Sequence, residues 1–442
     1  MAKEKIVIIG GGSAYVPGIL YSLAHTEEIL SGSEVCLMDI NPSWLPMMQK
    51  LTEKMVSEAG TNLKVTQTTN LEEALNNSTF VLTNFRPGGI ESLQMDEEIP
   101  NKYNILGQET TGPGGTFFAL RSVPQVLELC EKVEKICPEA WVINYVNPTN
   151  FVADAIRRKT KVKSVSICDG GGNGLKYSMA DFLHVDLGQL RVRAAGINHH
   201  TWLIEVHIKG EDGYPLLRKK IQSLSEVGGE GTSELGYYTE FTKFIFEKYG
   251  IFPANSYYLY PYFNHHDALT EYRAGKHSLY KMFARDLPEH WKNFEAMAEG
   301  KIPIYMDPNK HHTHVGHGDI AVQIITTIAT NNTKEFHVNI PNEGCITNLP
   351  QGAIVEVPAL VDQSGVKPLC MGDVPKGVVG LTSSLINWQE LSVDAALTGD
   401  KNLVIQALLA HPWVLSMRDA EKMCEKMLSA HANHLPQFKE KK

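Results

Sequence analysis

KIVIIGGGSAYVPG, residues 5–18, runs an apolar strand into three glycines and then into a helix. Ile6 to Ile9 are all β-branched, as a strand buried on both faces of a parallel sheet requires. Gly10, Gly11 and Gly12 let the backbone approach a pyrophosphate, and a helix starting near Val16 aims its first amides at that charge. Ser13 belongs to the same turn. The G-x-G-x-x-G pattern is incomplete, because Tyr15 stands where its third glycine falls. Asp39 adds weight. It closes the next apolar run, SEVCLMDI, where a carboxylate meets the ribose 2′-hydroxyl of a dinucleotide, and it favours NAD over a repelled 2′-phosphate. The competing reading is a tight turn followed by an Asp that caps a helix.

Outward from this turn, STFVLTNF, AWVINYV and VKSVSIC repeat the apolar, β-branched pattern. Between the strands, PSWLPMMQKLTEKMVSEAG and LRSVPQVLELCEKVEKIC carry apolar residues three and four apart, the period of a helix. The alternation predicts an α/β fold with a Rossmann-like, doubly wound parallel sheet over residues 1–170. Beyond Gly170 the pattern changes. RVRAAGINHHTWLIEVHIKG and AIVEVPALVD read as strands, TSELGYYTEFTKFIFEKYG and HDALTEYRAGKHSLYKMF as helices, and the tail from about Thr382 as mostly helical. Residues 171–442 are expected to form an α+β second domain for substrate, metal and oligomerisation. No low-complexity linker divides the halves, which should therefore share an interface.

A chain of 442 residues exceeds one ordinary core. Its net charge of −9, without a basic tract, argues against a nucleic-acid partner and fits a small-molecule enzyme. No run approaches the roughly 18–20 apolar residues of a membrane helix. Seven scattered cysteines read as reduced thiols, which makes a cytoplasmic enzyme the expectation.

The predicted strands end in polar loops, where a doubly wound sheet keeps its chemistry. They are Asn84-Phe85-Arg86-Pro87-Gly88-Gly89, Gly107-Gln108-Glu109-Thr110-Thr111-Gly112-Pro113-Gly114-Gly115, Asn147-Pro148-Thr149-Asn150 and Cys168-Asp169. Cys168 is either a small buried hydrophobe or a thiolate metal ligand. One Cys and one His would leave coordination positions open for substrate oxygens, as a catalytic metal needs.

The set GGGS, FRPGG with DEEIP, LGQETTGPGG, NPTN, a strand-end Cys-Asp and GINHHTW resembles glycoside hydrolase family 4, and PNEGCITNLPQGAIVEVPALVD and GDVP extend the likeness into the second half. The resemblance implies an enzyme using NAD and a divalent metal, typically Mn2+, an exception to the two-carboxylate scheme of most glycosidases. Sugar C3 is oxidised, the C2 proton is lost to a tyrosine, the C1 substituent is eliminated, water adds, and the hydride returns. On this likeness Cys168 and His199 are the metal ligands and His200 a bystander. Asp169 is the acid for an α-linked leaving oxygen. Asn147 touches substrate and cofactor, Arg86 the cofactor, and Asn198 the substrate. Tyr257, in PANSYYLYPYF, is the expected base, with Tyr258 and Tyr260 as alternatives. The implied substrate is a 6-phospho-α-glucoside, with 6-phospho-β-glucosides and unphosphorylated α-glycosides as alternatives. A fold like lactate and malate dehydrogenase and a homodimer or homotetramer also follow from the likeness.

Several residues depart from the pattern. Leu93 and Gln94 stand where phosphate-binding members carry an arginine, Glu91 adds a negative charge nearby, and GGGNG replaces a proline-containing stretch after Asp169. Arg273 is the remaining candidate phosphate contact. His311, His312, His314 and His317 read as an exposed loop, with a second metal site as the alternative. Two other functions compete with the hydrolase, a net sugar or hydroxy-acid dehydrogenase and a noncatalytic dinucleotide sensor.

Overall fold

The computed structural model describes residues 3–26, 28–224, 238–276, 278–305 and 319–439, with Asp169 and Asp319 described through their backbones alone. The four histidines from 311 to 317 lie outside the described residues. Six parallel strands form the N-terminal half: β1 (Lys5–Ile9), β2 (Glu34–Met38), β3 (Lys64–Thr68), β4 (Phe80–Thr83), β5 (Trp141–Asn144) and β6 (Lys163–Ser166). Their spatial order, β3-β2-β1-β4-β5-β6, reverses direction at β1. That reversal opens a crevice at the carboxyl ends of the strands. Strand β3, KVTQT, has no apolar run because it is an edge strand without a fully buried residue, and periodicity misses it for that reason.

The C-terminal half adds antiparallel strands to the same sheet. β7 (Leu190–Ile197) and β8 (His200–Ile208) form a hairpin, flanked by β9 (Glu211–Asp212) and β10 (Phe252–Pro253). β11 (Lys334–Pro341), β12 (Ile354–Asp362) and β13 (Gly365–Pro368) follow. β11 pairs with β6 through Asn339 and Ser166, and β12 pairs with β7 through Glu356 and Gly196. These two junctions make one continuous sheet of thirteen strands among the described residues.

Two large cores fix the sheet. One packs Ile6, Ile8, Leu37 and Leu82 against the helices Val16–Ala24, Leu45–Ala59 and Asp319–Ala329. The other joins the helix Gly114–Ile136 to Lys376–Thr398, Lys401–Ala410 and strand β12. Each large apolar side chain withdrawn from water in these cores contributes about 1.5–3 kcal/mol. Among the described residues no helix is long and apolar enough to cross a membrane.

HDALTEYRAGKHSLYKMF is not one helix. It divides into His265–Arg273 and Leu279–Ala298, because Gly275 adopts φ +92 and Ser278 caps the second helix by accepting from the Lys281 amide at 3.1 Å. The break brings Lys276, Lys281 and Arg285 to the crevice.

Candidate active site

The crevice is a cleft of about 2540 Å³, ample for a dinucleotide with a sugar beside it. Gly10, Gly12, Ser13, Asp39, Arg86, Asn147, Cys168, His199 and Tyr257 all line it. At one end, Gly10 (φ +88) lies so close to β4 that a Cβ there would sit 2.1 Å from the Asn84 carbonyl oxygen. Only glycine fits. Gly11 turns towards β2 instead, where a Cβ would meet Leu37 at 2.9 Å. The Asp39 carboxylate accepts from the Gly12 amide at 3.0 Å and the Asn41 amide at 2.9 Å. It thus holds the turn as well as edging the cleft. The helix behind the turn begins at Val16.

Tyr15 is more than a missing glycine. It lines the cleft and packs edge-on against Phe283 at 6.0 Å. Burial is the main cause of its raised pKa, with Arg86 opposing and Glu109 and Cys168 adding to it. Arg86 forms a two-pronged ion pair with the buried Glu109, one prong 3.1 Å long, and sits 4.7 Å over the Phe118 ring. Glu109 belongs to the GQETTG loop, which Tyr262 and His411 anchor by donating to the Thr111 carbonyl.

At the other end, Cys168 follows β6 and His199 occupies the turn between β7 and β8. Cys168 Sγ lies 3.6 Å from His199 Nε2. His199 has φ +61, an uncommon conformation for a residue with a Cβ, and such strain gathers at functional positions. Burial lowers its pKa to about 3, so the ring is neutral and presents a lone pair. Asn255 bridges the two segments. Its side-chain amide donates to the Gly170 carbonyl at 2.6 Å and lies 3.3 Å from His199 Nδ1. The Tyr258 ring rests on His199 with centroids 3.8 Å apart, and Tyr257 meets Tyr258 edge-on at 4.9 Å. Burial raises the Tyr258 pKa most, followed by Tyr257, Cys168, Glu109 and Tyr15, so its hydroxyl feels the charges of the site. Tyr260 instead stacks on Tyr238 at 4.0 Å.

This pairing of a glycine turn with a strand-end Cys and a hairpin His in one cleft runs through both halves of the chain. The model for the family 4 glycosyl hydrolases matches residues 5–185, and that for their C-terminal domain matches residues 194–414. The chain belongs to glycosyl hydrolase family 4. It is 31% identical over 449 residues to a 6-phospho-β-glucosidase of Escherichia coli, covering 99% of this chain and 97% of that one. It is 29% identical over 455 residues to an α-galactosidase of Bacillus subtilis, covering 99% and 100%. Among solved structures, the 6-phospho-β-glucosidase of Thermotoga maritima with manganese, NAD+ and glucose-6-phosphate superimposes with a TM-score of 0.83 at 25% identity, covering 97% and 99%.

Other expected residues of this family 4 member lie elsewhere. Arg273 is not among the cleft's lining residues. Its guanidinium bonds the Asn101 side chain at 2.9 Å, the Asn101 carbonyl at 3.1 Å and the Asn104 side chain at 2.8 Å. Asn198 lies behind the cleft, its amide donating to Glu356 at 2.8 Å. Leu93 is fully buried, and Gln94 pairs with Glu98 at 3.0 Å, so neither supplies a cation. His200 is buried between Trp202 and Tyr262, not beside Cys168. Sequence reasoning placed Glu109 in a strand-end loop without giving it a partner, and missed Asn255 and Glu356. Of those two, only Glu356 carried a signal, as a lone carboxylate within the apolar run AIVEVPALVD.

Proposed function

We propose that the protein hydrolyses glycosidic bonds with NAD and a divalent ion, Mn2+ first among candidates, and that its substrates are 6-phospho-α-glucosides. The observation that carries the reading is Cys168 Sγ, 3.6 Å from a neutral His199 Nε2, in the cleft that begins at the Gly10 turn. The residues fit both groups. A thiolate and an imidazole hold a transition ion less tightly than a full cage and leave positions for sugar and water oxygens, the hard donors that Mn2+ favours. The Gly10 cradle, which a Cβ would fill, suits a pyrophosphate.

When bound, NAD and the metal supply reversible hydride transfer and polarisation of sugar oxygens. The chain's own groups do the rest. We assign the C2 proton to Tyr258 rather than Tyr257, since Tyr258 packs on His199 and Tyr257 lies one ring further out. Asp169, next to Cys168, is the acid for the departing oxygen, and Asn147 at the cleft wall orients sugar against cofactor. Arg86, held by Glu109 in an ion pair, presents a fixed guanidinium at the cofactor end. Relatives that act on 6-phosphosugars support the phosphorylated substrate, with Lys276 and Lys281 as the cations at the cleft and Arg285, paired with Asp286, beside them. The buried Leu93 and the engaged Arg273 favour a second reading, an unphosphorylated α-glycoside as for the α-galactosidase relative. We place the enzyme in the cytoplasm as a homodimer or homotetramer.

The test is a panel of aryl α- and β-glycosides, with and without a 6-phosphate, assayed with NAD and Mn2+. Turnover of the 6-phospho-α-glucoside that needs both additions, without stoichiometric NADH, is expected. Steady NADH accumulation would establish a net dehydrogenase instead, and NAD binding without any turnover a sensor.

A further inference from the structure

Glu356 sits in mid-strand on β12, opposite Gly196 of β7 and Asn339 of β11, and is 1% exposed. A carboxylate so placed costs several kcal/mol unless donors meet it. Two do, and they come from different segments. The Gly172 amide donates to Oε1 at 2.6 Å, and the Asn198 side-chain amide donates to Oε2 at 2.8 Å. Gly172 lies in the turn Asp169–Asn173 that follows Cys168, and Asn198 directly precedes His199. One carboxylate therefore ties together the two segments that carry the thiol and the imidazole.

The glycine run after Asp169 is shaped to this contact. A Cβ on Gly171 would lie 2.1 Å from Glu356 Oε1, and one on Gly172 would lie 2.2 Å from His337 Cδ2. His337 braces the same turn through its backbone, since its carbonyl accepts from the Asn173 amide at 2.8 Å and its N–H donates to Asn173 Oδ1 at 2.9 Å. Its ring accepts from the Ala194 amide at 3.0 Å, reaching β7 as well.

We propose that Glu356 is a positioning residue that sets the Cys168–His199 geometry through Gly172 and Asn198. The proposal rests on the reading of Cys168 and His199 as metal ligands. Outer groups that orient ligands commonly change metal affinity 10- to 100-fold. Its action is geometric rather than electrostatic. A glutamine at 356 keeps an oxygen for the Gly172 amide, and its own amide can donate to Asn198 Oδ1, an oxygen that is buried without a partner, once the Asn198 amide turns over.

The test is a titration of the full chain with Mn2+ alone, reading free Mn2+ by electron paramagnetic resonance, beside NAD affinity and the melting temperature. Glu356→Leu is expected to weaken Mn2+ at least tenfold with NAD affinity within twofold, and Glu356→Gln to restore Mn2+ to within threefold of wild type. Wild-type Mn2+ affinity in Glu356→Leu overturns the proposal, as does a Glu356→Gln variant as weak as Glu356→Leu. If Glu356→Leu does not fold, Gly171→Ala serves in its place, because its new Cβ presses on the carboxylate. A tenfold weaker Mn2+ supports the proposal and unchanged affinity overturns it. Wild type that binds no Mn2+ at all overturns the metal assignment itself and this inference with it, a result distinct from either variant's.

Discussion

At the Gly10–Gly12 turn the chain's hydrogen-bonded hold is short in span, since Asp39, which accepts from the turn, is 27 residues from Gly12. At the Cys168–His199 end the holding contacts are remote. Glu356 is 184 residues from Gly172 and 158 from Asn198, and His337 is 164 from Asn173. The first end is a local device, built from a strand, a turn and a helix start that neighbouring residues specify. The second exists only once β11 and β12 have joined the sheet between β6 and β7. The two proposed ligand sites, assembled by such different routes, should fail independently, and the variants that separate them show the largest effects.

Cys168→Ser should remove Mn2+ binding and lower turnover by about 10³-fold or more, because a serine hydroxyl is a far poorer ligand than a thiolate. NAD affinity, measured by calorimetry, should stay within a few-fold. Full metal-dependent activity in this variant would sink the ligand assignment. The mirror-image variant is Gly10→Ala, whose Cβ would collide with the Asn84 carbonyl at φ +88. It should weaken NAD on the order of 100-fold, through a displaced turn and lost amide contacts, while leaving Mn2+ affinity nearly unchanged. Equal damage to both ligands by either variant would mean that the two ends are one cooperative unit.

Legibility follows the same division. The parallel strands other than β3 were readable because each is a short apolar run, and the glycine turn and Asp39 because strand, turn and helix start lie within about forty residues. The roles proposed for Cys168 and His199 come only through the family likeness, since nothing local distinguishes a ligand Cys from a core one. Asn255 and Glu356 act across the fold, and the sequence holds no spacing rule for such contacts. The single helix expected over 266–283 failed at Gly275 and Ser278, where a cap outweighed an apolar period. Which tyrosine ring the short helix Ser256–Phe263 turns towards His199 is likewise set by the fold, and it is the Tyr258 ring.

Acid should distinguish the ends by a smaller effect. Burial lowers the His337 pKa to about 4, the largest cause, with Glu335 opposing. Unfolded, the same ring titrates near 6.5. Below that value the unfolded chain binds a proton the folded chain refuses, so stability is full above pH 6.5 and declines as pH falls towards 4. The expected slope is roughly 1 kcal/mol per pH unit from this residue. Hydrogen-exchange protection factors in the metal-free protein, which correct for the slower intrinsic exchange of amides in acid, should therefore fall around residues 168–173 and 334–341 between pH 6.5 and 4, with the 5–18 segment less affected. Replacing His337 with Gln should flatten that dependence, and an unchanged one would show that the ring titrates elsewhere.

The smallest effect expected is that of Arg273→Ala. Were Arg273 a phosphate contact, its loss would remove a charge-assisted bond and raise KM for a phosphorylated substrate well over tenfold. Its guanidinium instead joins the helix His265–Arg273 to Asn101 and Asn104 at an exposed position. Three bonds of that kind in water contribute at most about 1 kcal/mol together, and the cleft keeps its other cations. KM for a 6-phosphoglycoside should thus stay within about threefold of wild type, and the melting temperature should fall by no more than a few degrees. Lys281→Ala, by contrast, removes a cation that lines the cleft and should raise KM for the phosphorylated substrate more than for its unphosphorylated counterpart. A large KM change in Arg273→Ala alone would mean that the helix turns on binding and that the phosphate is read from outside the cleft described.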